Sequence, residues 1–123
     1  MYINDCLKLL KPLLQDDILS YNIKGDNLYI EINEKSILRA FAILKSNNAL
    51  KFCALTDCFA LKCDCKVSIY VQLHSYKLDI SIFITFNINH FEKCVSISPL
   101  FPNITFYENE ISRDYGVTFI SIP

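Results

Sequence analysis

The sequence has few of the residues on which several kinds of binding site depend. Its 123 residues include 2 glycines, 2 histidines and no tryptophan. So few glycines exclude a phosphate-binding loop or a dinucleotide fingerprint, because both need several glycines for the backbone to approach phosphate. His74 lies at a predicted strand end and His90 near a predicted turn, with no second histidine or serine-rich motif beside either. We expect neither histidine to bind a metal or to serve in a catalytic triad.

An excess of charge and a long apolar run are also absent. The 12 basic and 13 acidic residues give a net charge of -1, which argues against a nucleic-acid-binding surface. The apolar run from Ile80 to Phe91 has no charged residue but is shorter than the roughly 20 residues of a membrane-spanning helix. Asp5 and Lys8 interrupt the first apolar residues, so no signal peptide is predicted. We expect the protein to remain in the compartment where it is made.

The cysteines allow two interpretations. There are six: Cys6, Cys53, Cys58, Cys63, Cys65 and Cys94. Without a predicted secretory signal, a disulfide framework is not expected, because the cytosol keeps thiols reduced. Zinc sites usually present two pairs of cysteines separated by two or four residues, whereas one residue separates Cys63 from Cys65. We predict buried or strand-edge thiols, and a small zinc-binding module built on Cys53, Cys58, Cys63 and Cys65 is the alternative.

Apolar spacing predicts two helices in the first 50 residues. The first has Asn4 as its predicted cap and Pro12 as a predicted kink or restart. The second is capped by Asn33 and extends from Glu34 to about Ser46. The apolar stripes that should face the core are Ile3, Leu7, Leu10 and Leu14 in the first helix and Ile37, Phe41 and Leu44 in the second.

Alternating apolar and polar residues predict a sheet. Gly25-Asp26 supplies a turn between two short extended runs. The predicted strands after that turn are Leu28 to Ile32, a buried strand from Phe52 to Asp57, Val67 to His74, and Leu78 to Phe86. Because the segment from His74 to Lys77 is short enough for a hairpin, the last two strands should pair antiparallel. Phe83 lies on the outer face of this sheet, which suggests that part of that face is covered.

A third helix is predicted near the C-terminus. Loop residues from Ser98 to Asn103 precede it, it extends over Ile104 to Tyr115, and Gly116 ends it. Val117, Phe119 and Ile122 should follow as an extended tail. The predicted fold of the single domain 1–123 is therefore α+β, with a mainly antiparallel sheet of about four or five strands, two helices on one face and a short C-terminal helix.

The C-terminal helix carries charges that do not form a catalytic pair. Glu108 and Glu110 are two residues apart, so on a helix they point about 200° apart and cannot act on one substrate. Glu110 and Asp114 share a face, with Arg113 beside them. Phe106 and Tyr107 accompany these charges, and aromatic residues with an arginine are typical of a protein contact surface. A plain solvated helix face is the alternative.

The same segment resembles a known family. The residues from Ser96 to Phe119, SISPLFPNITFYENEISRDYGVTF, resemble the C subunit of the proton-pumping NADH:quinone oxidoreductase, respiratory complex I. The family pattern is a serine-led loop, a proline-containing turn, an aromatic residue, Glu-Arg-Glu, an Asp, an aromatic-Gly pair and a Phe, closed by Gly-His-Pro. Leu55-Thr56-Asp57 and the segment from Val67 to Ser75 resemble two upstream family segments. The resemblance covers 55–123 well and the preceding part by element order only.

Matches and departures divide this pattern residue by residue. The matching residues are Glu108, Glu110, Gly116, Phe119 and Pro123. Asn109 replaces the family Arg, Arg113 replaces the family Asp with Asp114 one place later, and Ser121-Ile122 replaces Gly-His. The family's salt bridges therefore do not carry over. Family members usually continue into a C-terminal extension, so the resemblance implies a divergent or shortened subunit.

The resemblance implies a non-catalytic structural subunit of the hydrophilic, peripheral arm. In that family the C subunit packs beside the quinone-site D subunit and binds no flavin or iron–sulfur cluster. We accordingly expect no catalytic residue, no cofactor and no metal of its own in this chain. The expected location is peripheral, on the cytoplasmic side of a bacterial inner membrane or on the matrix side of a mitochondrial one. The expected contact residues toward other peripheral-arm subunits are Phe106, Tyr107, Glu108, Glu110, Arg113, Asp114, Tyr115, Gly116 and Phe119.

A second assignment keeps the fold and changes the complex. Related modules occur in membrane-bound hydrogenase-type complexes, where the electron-transfer partner differs. The proteins that purify with the chain would separate this possibility from complex I, and near-stoichiometric zinc with loss of folding in chelator would identify the zinc-binding alternative.

Overall fold

The computed structural model describes residues 2–89 and 92–121. The helices are α1 Ile3–Leu14, α2 Ile37–Ser46 and α3 Ile104–Tyr115. The strands are β1 Ile18–Lys24, β2 Asn27–Ile32, β3 Ala54–Cys63, β4 Lys66–Ser75, β5 Ile80–Asn89, β6 Lys93–Val95 and β7 Thr118–Ile120.

The main sheet has five strands in the order β1-β2-β5-β4-β3. Three of its four pairings are antiparallel hairpins, and the central pair β2–β5 is parallel, with Leu28 opposite Ile82. A parallel pair needs a long connection, and here the chain passes through α2, β3 and β4 before β5 returns beside β2. The α+β class and the mainly antiparallel sheet are confirmed.

Helices α1 and α2 cover one face of this sheet, which we call the inner face. Side chains from both helices and from alternate strand positions form one hydrophobic cluster. Phe41 of α2 lies at the centre of this cluster, with edge-to-face contacts to Phe86 of β5 and Phe101 of the loop before α3. Ring centroids are 6.3 and 6.1 Å apart, a spacing at which such aromatic pairs are favourable. The predicted inner stripe of α2 is confirmed by these contacts.

The predicted helix starts differ from the observed ones. The first helix begins at Ile3 after Tyr2, so Asn4 lies in the first turn and does not cap it. Pro12 lies inside α1, which continues to Leu14. Asn33 does accept a hydrogen bond from the backbone N–H of Lys35 at 3.0 Å, but this bond caps a 3₁₀ turn that precedes α2. Side-chain spacing predicts which face is buried better than it predicts the first residue of a helix.

The predicted buried strand from Phe52 to Asp57 is wrong in position and burial. Phe52 is buried before the strand begins, and β3 extends from Ala54 to Cys63 as an edge strand with mostly exposed side chains. Cys63 and Asp64 belong to the tight β3–β4 hairpin, where Asp64 has a φ of 54°. The strand was predicted wrongly because an edge strand buries little of its surface and can therefore contain many polar residues.

The hairpin between β4 and β5 is confirmed as antiparallel. Its turn lies between Ser75 and Ile80, slightly later than predicted, and β5 accordingly ends at Asn89. The helix predicted over Ile104 to Tyr115 is confirmed at both ends, and Gly116 ends it in the left-handed conformation with a φ of 72°.

The extended tail is confirmed over Thr118–Ile120, where it pairs in parallel with β6 to form a two-stranded sheet that the sequence did not predict. Three predictions, those for His90, Ile122 and Pro123, lie outside the described residues.

Candidate partner interface

Helix α3 is fixed to the edge strand β3 by side chains that bond to the strand backbone. The Tyr115 hydroxyl donates to the carbonyl oxygen of Ala60 at 3.0 Å, and the Asn103 amide donates to the carbonyl oxygen of Leu55 at 2.9 Å. Ile104 and Ile111 are buried beneath the helix. These contacts satisfy part of the free edge of β3 and give α3 a defined orientation.

Glu108 points into the protein and bonds to the segment before α3. One carboxylate oxygen accepts the Ser96 hydroxyl hydrogen at 2.6 Å, and the other accepts the Ile97 backbone N–H at 3.4 Å. The residue is 6% exposed, and its burial raises the pKa of its carboxyl group. Glu108 therefore connects α3 to the residues that follow β6 in the same chain. Its expected contact with another subunit stays a prediction.

The opposite side of α3 is open to solvent. Phe106 is 66% exposed, although large aromatic side chains are usually covered. Glu110 and Arg113 follow it at spacings of four and seven residues, so the three side chains share one helix face. Arg113 donates from Nε to the neighbouring Asp114 carboxylate at 3.1 Å. We call Phe106, Tyr107, Glu110, Arg113 and Asp114 the α3 surface.

A shallow groove of about 180 Å³ runs between the α3 surface and β3. Tyr107 and Tyr115 lie along its helix side, and Phe59 lies on its strand side. Glu110 and Asp114 add two carboxylates to the same groove. The structure thus brings together most of the residues that the sequence pattern grouped as contact residues.

The remaining predicted contact residues are placed less openly. Tyr115 is half-buried because its hydroxyl bonds to β3, and Phe119 is half-buried in β7 opposite Cys94. Gly116 is exposed at the end of α3. These three residues border the α3 surface and help to fix the helix.

The six cysteines do not come together. Cys6, Cys58 and Cys94 are buried and the other three are exposed. Burial and, to a lesser extent, the nearby Glu108 carboxylate raise the pKa of the Cys58 and Cys94 thiols to about 12. Such thiols stay protonated at neutral pH and are therefore poor nucleophiles. Across residues 2–89 and 92–121, no group of three potential metal-binding side chains was found.

A second surface was anticipated from the sequence only in part, through Phe83. On the sheet face opposite the helices, Tyr29, Glu31, Phe59 and Tyr70 line a groove of about 420 Å³. Only Phe83 was singled out as an apolar residue on that face. The alternation in β2 carries the missing signal, because it places Tyr29 and Glu31 opposite the buried Leu28.

Comparison with known proteins settles the family. The sequence profile of the family described as "Respiratory-chain NADH dehydrogenase, 30 Kd subunit" matches residues 30–123. The chain belongs to this family of respiratory-chain NADH dehydrogenase 30 kDa subunits. The matched range contains α3 and the whole segment from residue 55 on which the complex I resemblance rested. The resemblance is confirmed, and with it the place of the chain as a subunit of a multi-subunit respiratory complex.

A solved structure shows the same fold. A chain from the "membrane-bound sulfane sulfur reductase (MBS), an archaeal respiratory membrane complex" superimposes with a TM-score of 0.81 at 14% sequence identity. The superposition covers 94% of the present chain and 69% of the chain from the archaeal complex. No curated protein matches in sequence. In the part of the chain that the structure describes, no helix is long and apolar enough to cross a membrane.

Proposed function

We propose that this chain is a non-catalytic structural subunit of the peripheral arm of a respiratory NADH:quinone oxidoreductase, and that it docks on the quinone-site D subunit through the α3 surface. Its role is to hold and orient the subunits through which electrons pass. The observation that carries the proposal is the row of exposed Phe106, half-buried Glu110 and exposed Arg113 on a helix whose other side is firmly attached to the sheet.

The rigidity of α3 supports this role. Hydrogen bonds from Tyr115 and Asn103 reach β3, and Glu108 bonds to Ser96 and Ile97 on the other side. A surface that is already ordered loses little conformational entropy on binding, so its contacts contribute more fully to affinity. We also propose that the chain contacts other peripheral-arm subunits. It would lie on the cytoplasmic side of a bacterial inner membrane or on the matrix side of a mitochondrial one.

The experiment is purification of the tagged chain in a gentle detergent, with identification of the proteins that accompany it. Tyr107→Ala and Glu110→Lys should both reduce recovery of the D subunit while the variants stay folded. For Glu110→Lys, the reason is that a mispaired charge at an interface costs about 2–5 kcal/mol. Asp26→Lys is the matched control, since it reverses an exposed charge in the β1–β2 turn, at the sheet edge opposite α3. Normal assembly of both α3 variants would refute docking through this surface.

A hydrogenase-type complex is the second candidate, because the solved chain with the same fold comes from a respiratory membrane complex that is not named for NADH oxidation. The archaeal respiratory membrane complex that contains the similar chain is named for a sulfane sulfur reductase. The same purification distinguishes the two candidates. Recovery of NADH-oxidising subunits supports complex I, and recovery of a D-like subunit without them supports the related complex.

A further inference from the structure

The outer face of the sheet carries two stacked aromatic pairs. Tyr29 stacks on Phe83 with centroids 4.8 Å apart, and Phe59 stacks on Tyr70 with centroids 5.0 Å apart. No described helix covers these four rings, because α1 and α2 bury the other face. Exposed faces of antiparallel sheets are normally polar. An aromatic face of this kind indicates a binding surface.

Glu31 lies in the groove between these stacks and has no cationic partner among the described residues. Its carboxylate is half-buried and is held by two neutral donors, the Ser20 hydroxyl at 3.2 Å and the Asn87 amide at 3.1 Å. One donor bonds to each oxygen, so each oxygen keeps a free lone pair. The carboxylate is therefore fixed in position and able to accept further hydrogen bonds.

The groove offers two features that together select a guanidinium group. A carboxylate with two free lone pairs accepts a paired hydrogen bond from a planar fork of donors, and aromatic faces attract the same cation. Arginine presents both properties, whereas lysine is a point charge. Lys24 also lines the groove, and its ammonium lies over the Tyr29 ring, 5.8 Å from the centroid. Among the described residues it forms no ion pair with Glu31, so the carboxylate remains available.

The outer-face groove adjoins the groove beside α3. Phe59 lines both this groove and the groove beside α3. A protein that docks on the α3 surface would therefore meet the outer face of the sheet across the β3 edge. This adjacency, and the unpaired charge of Glu31, favour a neighbouring subunit over a second copy or a small molecule.

We propose that the outer-face groove receives an arginine side chain of a neighbouring subunit, with Glu31 as its acceptor and the rings of Tyr29, Phe59 and Tyr70 along its walls. This proposal rests on the proposed function, since it extends the α3 docking surface onto the sheet. It assigns a binding role to Tyr29, Glu31 and Tyr70, which the sequence pattern alone had left as ordinary strand residues.

The test uses photo-crosslinking within the assembled complex. A p-benzoylphenylalanine probe replaces Leu61, which is 54% exposed and lines the groove, or Phe106 on the α3 surface. A third probe at Lys8, exposed on α1, serves as the control. We expect the Leu61 probe to crosslink to an arginine-containing peptide of a partner subunit. Glu31→Gln should lower that crosslink yield about tenfold, because it removes a charge-assisted hydrogen bond. Asp5→Asn, which removes a charge from α1, should leave the yield unchanged.

The outcomes separate the two proposals. Crosslinking from Phe106 but not from Leu61 overturns the arginine site and leaves the α3 docking proposal standing. A Leu61 crosslink only to a second copy of this chain, or a yield that Glu31→Gln does not change in a variant with wild-type thermal stability, also overturns the arginine site. Crosslinking from Leu61 to the expected peptide but not from Phe106 refutes docking through α3 and supports the groove. Failure of both probes refutes both proposals.

Discussion

The two faces of the central sheet differ in composition and in environment. The inner face, with Ile69, Ile82 and Ile84 among its residues, is covered by α1 and α2 and is almost completely inaccessible. The outer face carries stacked rings such as Tyr29 and Phe83, but they are only half-buried. Burial of apolar surface stabilises the fold roughly in proportion to the area removed from water. The inner face therefore supplies stability, while the outer face keeps apolar area available for a partner.

Helix α3 likewise has one covered side and one uncovered side. Ile104 and Ile111 face the core, whereas Phe106 and Arg113 face solvent. Both uncovered regions adjoin β3, the edge strand on which α3 packs. Substitutions on covered and uncovered sides should accordingly separate loss of folding from loss of assembly.

The largest expected effect is on the covered side. Phe41→Ala should lower the free energy of unfolding by about 3–5 kcal/mol, because it removes a fully buried ring that contacts two others. Phe83→Ala on the outer face should cost less, because the ring is only half-buried and loses part of its burial together with a stack on Tyr29 worth about 0.5–1.5 kcal/mol. Urea denaturation of both variants measures the difference. Equal losses would show that the outer face is part of the core.

Titration of Glu108 should give a smaller effect that depends on pH. The pKa of its carboxyl group is raised by burial, so the folded chain holds this proton more tightly than the unfolded chain does. Its contribution then favours folding at acidic pH, and stability falls as the pH rises from the ordinary glutamate pKa through the raised one. Glu108→Gln should flatten this decline, which for one group is at most about 1.4 kcal/mol per pH unit. Thermal unfolding across the acidic range measures the slope, and an unchanged slope would contradict the assignment.

The anchor of α3 should contribute a modest amount. Tyr115→Phe removes the hydroxyl that bonds to Ala60 and should cost about 0.5–1.5 kcal/mol. Tyr107→Phe is a matched control on the same helix, because no hydrogen bond from the Tyr107 hydroxyl was found among the described residues. The comparison needs only the two unfolding free energies. A cost for Tyr107→Phe as large as that for Tyr115→Phe would mean that the anchoring bond adds nothing specific.

The smallest effect on stability is expected at the rim of the outer groove. Leu61→Ser should change the free energy of unfolding by less than about 0.5 kcal/mol, because this side chain is 54% exposed. Leu73→Ser, on the inner face of β4, should be strongly destabilising in the same assay because it leaves a cavity and a buried hydroxyl. If the two substitutions were equally harmful, the distinction between the faces would fail.

The sequence predicts the features that depend on neighbouring residues. The bounds of α3 follow from loop residues before it and Gly116 after it, and the β4–β5 hairpin follows from alternation on both sides of a short turn. The sequence also predicted contact residues on α3. The structure places Phe106, Arg113 and Asp114 on its exposed side and leaves Tyr107 and Glu110 half-buried.

Features that depend on distant residues were not predictable in the same way. The parallel pairing of β2 with β5 and the small sheet of β6 and β7 join segments far apart in sequence. The burial of Glu108 was equally hidden, because a glutamate on a short helix is normally exposed and its partner Ser96 lies in the preceding loop. The outer groove was not predictable either, because Tyr29 and Tyr70 line it together only when β2, β5 and β4 lie side by side.

The strand order has a consequence for synthesis of the chain. Strands β1 and β2 leave the ribosome first, yet the parallel neighbour of β2 is β5, made about fifty residues later. The β3-β4-β5 meander can form from local pairings, whereas the first hairpin and α1 have no complete sheet to pack on until β5 has emerged. Newborn chains interrupted before β5 should therefore expose apolar surface from α1 and β2, and chaperones should bind them at this stage of translation more than at any later one.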